Sequence, residues 1–108
     1  MANTFTSYLN SSVGTAAATV ATVGAGTQTT VIGMSVANTS ASPVTVDVYI
    51  TRSAVNYYIL KGATVPVGGT LIIVGGDQKV VLITSDALKV VSSATASLDV
   101  VTSVLNIT

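Results

Sequence analysis

The acidic side chains of this 108-residue chain are four aspartates, Asp47, Asp77, Asp86 and Asp99, matched by four cations, Arg52, Lys61, Lys79 and Lys89, with no histidine, cysteine or glutamate. The chemistry open to such a set is narrow. General acid–base work would fall to the aspartates, and nucleophilic attack to hydroxyls that have no imidazole to activate them. Triads are excluded, and zinc finds neither imidazole nor thiolate. A calcium or magnesium site needs several oxygens gathered in one loop, whereas these aspartates stand singly. Asp77, in "GGDQK" at 75–79, alone falls in an obvious loop of turn formers, where hydrogen bonding to its own backbone accounts for it. The expectation is a protein that is not an enzyme and holds no metal and no cofactor.

The glycines give no phosphate cradle. "GAG" at 24–26 and the pairs at 68–69 and 75–76 lack the following helix and the lysine spacing that give such loops meaning, and are expected to be turns. Tyr57 and Tyr58 are adjacent, so on a strand one ring should face inward and the other outward. The outward ring, with Tyr49 and Tyr8, is a candidate contact aromatic, against the alternative of a cross-strand packing pair. Arg52 follows a strand and is a candidate to pair with an aspartate across an interface, against the alternative of a solvated strand end.

The elements that must position these residues are strands. Val44, Val46, Val48 and Ile50 alternate with Thr45, Asp47, Tyr49 and Thr51, which puts aliphatic groups on one sheet face and polar groups on the other. In "TVIGMSVAN", Ile32, Met34 and Val36 should form one face opposite the small residues Gly33, Ser35 and Ala37. Further β-branched runs lie at 18–23, 55–61, 70–74, 79–83, 87–91 and 98–107, separated by "NTSASP", "PVGG", "GGDQ" and "TSD", which are turn formers. No stretch shows a helical stripe. Strands recurring about every 8 to 12 residues predict one all-β domain, an antiparallel β-sandwich or jelly roll of about eight strands over 16–108. At this length folding buries roughly 60 to 70% of the unfolded surface, enough for one core without staples.

The chain is 7% charged, against about 25% for ordinary soluble proteins. Its net charge of zero supplies no field to draw nucleic acid or anionic lipid, so neither is an expected partner. The apolar runs, such as "LIIV" at 71–74, stop after four residues and are too short to span a membrane as a helix. Without a basic start and apolar middle, "MANTFTSYLNSS" does not read as a signal peptide, and a soluble product made inside the cell is expected. An isolated β-sandwich normally guards its edges with charge or proline and keeps its net charge away from zero. This chain does neither, so much of its surface is expected to pack on copies of itself or on a larger scaffold, with a homo-oligomer in solution. Residues 1–15 are either an extended N-terminal arm or the first strand. Phe5, Tyr8 and Leu9, the large apolar residues among the first twelve after Met1, would anchor such an arm in a neighbour. Together with Tyr49, Arg52, Tyr57 and Tyr58 they are the candidate interface residues.

The order "TTVIGMSVANTSASPVTVDVYITR", "YYILKGATVPVGGTLIIVGGDQKVVLITSDALKVVSS" and "LDVVTSVLNI" resembles the small virion structural proteins of tailed bacteriophages. These carry an Asn-Thr turn, a Lys-Gly pair, a Pro-x-Gly-Gly turn and an Asp-x-hydrophobic-Lys strand in one β-sandwich. The similarity covers about residues 28–107. Where the family has a Gly-Asp turn before the Asp-led strand, this chain has Ser85 and Asp86. The resemblance implies a non-enzymatic virion component made in the host cytoplasm, a capsid decoration or cement protein, with neck, tail or fibre attachment as the alternative. Its partners would be other virion proteins, such as the major capsid protein. A carbohydrate-binding module is a further alternative that the residues favour less, because tryptophan platforms are absent.

Overall fold

The computed structural model describes residues 3–75 and 79–108, so Asp77 and its loop lie outside the described residues. Strands among these residues are β1 (Asn3–Val13), β2 (Ala18–Thr22), β3 (Gln28–Asn38), β4 (Val44–Arg52), β5 (Val55–Val65), β6 (Thr70–Val74), β7 (Val80–Leu82), β8 (Ala87–Ser92) and β9 (Leu98–Ile107). None of the described residues is helical. Valine, isoleucine and threonine, stiff at χ1, suit the pleated backbone and fill most strand positions. Gly26 and Gly68 take the positive φ of 69° that their turns require and that a side chain would strain.

The strands form two antiparallel sheets, one ordered β1-β9-β3-β6 with β7 also on β3, the other β2-β8-β4-β5. β6 pairs along Met34–Ala37 and β7 along Thr29–Val31, so two short strands share the far edge of β3. With those two counted as one, partners run first with last and so inward: β1 with β9, β2 with β8, β3 with β6 and β7, β4 with β5. That nested order is a jelly roll. Asn38 fixes one crossing between the sheets. It is buried, donates from Nδ2 to the carbonyls of Ser42 at 2.9 Å and Val65 at 3.0 Å, and accepts the Ser40 N–H at 2.9 Å. The "NTSASP" turn is thereby tied to the end of β5.

Alternation selects the core with one exception. Val44, Val46 and Val48 are buried between the sheets, and Ile50 packs against them. Ile32, expected inward with Met34 and Val36, is displaced, and Val31 is the fully buried residue instead. A bulge between Val31 and Gly33 against β9 inserts one extra residue and exchanges the faces on its upstream side. The N-terminal segment is a strand and not an arm: Asn3–Val13 pairs with β9 from Asn3 opposite Ile107 to Val13 opposite Leu98.

Thr102, on β9 between Tyr8 of β1 and Met34 of β3, is wholly buried, and its hydroxyl has no hydrogen-bond partner. An unpaired buried hydroxyl costs about 1 to 3 kcal/mol. Thr102→Val, which keeps the shape, is expected to raise the melting temperature in a calorimetric scan by about 4 °C or more. A lowered melting temperature would show that the hydroxyl is satisfied.

Candidate functional site: an uncharged sheet face and an open edge

Alternation along β1 sends Tyr8 inward and Phe5 and Leu9 outward. Tyr8 packs against the core, and its hydroxyl accepts from Asn106 Nδ2 at 3.4 Å. Phe5 and Leu9 are 74% and 71% exposed. Strand register carries each of them into a row that crosses the sheet. Leu9 stands opposite Val101 of β9, Val101 opposite Ser35 of β3, and Ser35 opposite Ile72 of β6, itself 69% exposed. Phe5 starts a second row through Leu105 and Thr30 to Val81 of β7. Ser7, Ser103 and Gly33 lie between the two rows. Two apolar ridges therefore flank a furrow of small side chains.

Charge is divided unequally between the sheets. The five strands beneath this face carry one charged residue, Asp99, whose carboxylate accepts the Ser12 N–H at 3.0 Å. The four strands of the other sheet carry Asp47, Arg52, Lys61 and Lys89. The edges differ in the same way. β1 is an eleven-residue edge strand without a charge or a proline, the kind of edge that accepts another strand. The other long edge, β5, carries Lys61 and a bulge in which Lys61 and Gly62 face Asp47. Gly62 has φ of 69°, and its N–H is accepted by the Asp47 carboxylate at 2.7 Å.

The tyrosines of the second sheet pack on each other. Tyr49, expected as a contact aromatic, is buried beneath Tyr58, which lies directly opposite it with ring centroids 5.1 Å apart, and Lys61 Nζ sits 4.5 Å above the Tyr58 ring. The cross-strand packing pair is the correct reading for Tyr49. Tyr57 and Tyr58 do divide between the faces, Tyr57 opposite the core-packed Ile50 and Tyr58 opposite Tyr49, but the inward ring is not core, since both are exposed. β5 is an edge strand, and β6 and β7 in the other sheet, five and three residues long, are too short to cover the inner ring.

Arg52 is engaged within its own chain rather than offered across an interface. Its Nε and Nη2 donate to the two oxygens of Asp86 at 2.8 and 2.6 Å, and Asp86 also accepts the Ile83 N–H at 2.9 Å. The carboxylate is buried and the guanidinium about half exposed. The Arg52 hydrogen bonds hold the Asp86 carboxyl below the usual carboxylate range, against the opposing effect of burial, with the Ile83 N–H and the guanidinium charge assisting. Because the folded value lies below the unfolded one of about 3.9, the pair's contribution is complete above that pH and is lost as pH falls through the folded value. Asp86→Asn is expected to lower stability near neutrality by about 1 to 2 kcal/mol, moderated by the water around the guanidinium. The gap from wild type should close below about pH 4. Denaturant titrations at a series of pH values check this, and a gap that does not change with pH would contradict it.

Asp47, Asp86 and Asp99 are each occupied by a backbone N–H or by Arg52, and no three metal-ligating side chains come together among the described residues. Ile72, Val81 and Val101 were not singled out from the sequence. They sit in "LIIV", "VVLI" and "DVVTSVL", where aliphatic residues occupy both faces and a period of two cannot separate them.

No family model and no curated protein matches the chain. Solved structures match its backbone. One is a chain of the Bacillus endospore appendages, disulfide-linked pili, with TM-score 0.58, 13% identity, and coverage of 99% of this chain and 87% of that one. Another is a chain of the T13 IBDV viral particle, with TM-score 0.52, 13% identity, and coverage of 96% of this chain and 35% of that one. The chain therefore spans about a third of the length of the viral chain. At these identities the similarity is one of fold.

Proposed function

We propose that this chain is a non-enzymatic structural subunit of a tailed bacteriophage virion, a decoration or cement protein of the capsid that works by packing on protein neighbours. The observation that carries the proposal is the face of the first sheet: five strands with one charged residue, and Phe5, Leu9 and Ile72 each about 70% exposed on it. A soluble monomer rarely presents a broad apolar patch with no partner for it. The open β1 edge gives a second means of attachment, by strand addition to a neighbour. It replaces the extended arm as the way in which the N-terminal segment would reach the particle. The fold is shared with a chain of a viral particle and with a chain of a pilus, and the motif order over residues 28–107 resembles phage virion proteins.

The more complete match to the pilus chain favours a second reading, a subunit of a filament. Such a filament would have to be held by something other than disulfides, because this chain has no cysteine. One assay separates the readings. Purified protein is added to phage particles that lack it, and sedimentation measures what is bound. Saturable binding at a fixed ratio to the major capsid protein is the expected result. Filaments visible by electron microscopy, with no protein on the particles, would replace the virion reading with the pilus one. A glycan array that captures the protein while particles do not would replace both.

A further inference from the structure

We infer that the outer face of the five-stranded sheet packs against the same face of a second copy of this chain, about a two-fold axis; the inference rests on the structural-subunit reading and assigns its surface. A two-fold contact sets one patch against the same patch, residue i on j and j on i, so a face carrying charge of one sign would repel itself. This face has Asp99 as its one charged strand residue, and that carboxylate is engaged by the Ser12 N–H. The relief of the face is self-complementary. The ridges Leu9–Val101–Ser35–Ile72 and Phe5–Leu105–Thr30–Val81 flank the furrow Ser7–Ser103–Gly33. Rows two residues apart stand about 7 Å from each other, so a ridge of one copy can enter the furrow of the other, at the spacing of about 10 Å at which sheets pack.

The area agrees with this occupant. Three strand spacings with their side chains give a width of about 19 Å, and ten residues give a length of about 33 Å. The projected face is thus roughly 600 Å², which side-chain relief brings near the roughly 800 Å² per partner of a stable complex. The opposite sheet, with Asp47, Arg52, Lys61 and Lys89, is left toward water. Both β1 edges stay free in the pair, so self-packing and attachment to a particle use different surfaces.

Size exclusion coupled to light scattering over a micromolar concentration series tests the inference on the full chain, Ile72→Lys and Tyr58→Lys. The wild type is expected at twice the 10.8 kDa chain mass. Ile72→Lys sets a lysine from each copy into the apolar contact, and its dimer dissociation constant should rise by at least about a hundredfold. Because Ile72 is exposed, the variant should still fold, with an unchanged β-sheet circular dichroism spectrum and a melting temperature lowered only by what the lost pairing contributed; if lysine there prevents folding, Ile72→Ser is read in the same way. Tyr58→Lys, on the other sheet, should stay dimeric. A monomeric wild type, an assembly that survives both Ile72 substitutions, or dissociation by Tyr58→Lys instead would overturn the inference. The virion reading is judged separately by the sedimentation assay. A monomer that still saturates particles removes the face pairing alone, and a dimer that ignores particles removes the virion role alone.

Discussion

Val48→Asp is expected to abolish the folded state: no cooperative melting transition, and a disordered circular dichroism spectrum at room temperature. Val48 is fully buried on β4, between Leu60 of β5 and Val90 of β8 in register. An ionised carboxylate there has no cation within the core, and an unpaired buried charge costs several kcal/mol. The lost valine burial adds about 1.5 to 3 kcal/mol. Together these consume most of the roughly 5 to 15 kcal/mol that holds a domain folded. The adjacent Asp47→Ala should fold. Its carboxylate is on the outer side, where removal forfeits the Gly62 hydrogen bond at about 1 kcal/mol. Opposite outcomes for the two variants would put the strand one residue out of register.

Deleting Ala2–Ser12 is expected to lower the melting temperature by more than about 10 °C, on the scale where 1 kcal/mol moves a domain of this size by about 4 to 8 °C. The deletion removes β1, whose ladder with β9 runs from Asn3 opposite Ile107 to Asn10 opposite Val100. Tyr8 goes with it, opening one side of the core that Val100, Thr102 and Val104 fill. β9, until then an interior strand, becomes an edge. Scanning calorimetry of the truncated chain decides the point. An unchanged melting temperature would mean that the segment contributes nothing to the sheet and behaves as an arm.

What the sequence shows of this fold follows from where alternation is clean. Val44 to Thr51 has one apolar and one polar face, and its burial is read correctly. The bulge at Ile32 leaves no mark, because Val31 and Ile32 are equally apolar and either can be the inward one. Tyr49 sits at a polar-side position as alternation requires, yet it is buried by Tyr58, a partner nine residues away that a period of two does not name. The Arg52–Asp86 pair joins residues 34 positions apart, and the nested pairing of strands is likewise a property of chain order in space. The candidate site was legible as a deficit of charge and in Phe5 and Leu9. Its other members, Ile72, Val81 and Val101, emerge only when register sets them in rows with those two.

The central claim, that this chain acts by assembling into a phage particle, is tested most directly by quantifying it in purified particles by mass spectrometry against the major capsid protein. The proposal predicts that the chain is present at a fixed ratio to the major capsid protein and in a copy number of the same order. Particles free of it, prepared from cells in which it accumulates unattached, would contradict the claim.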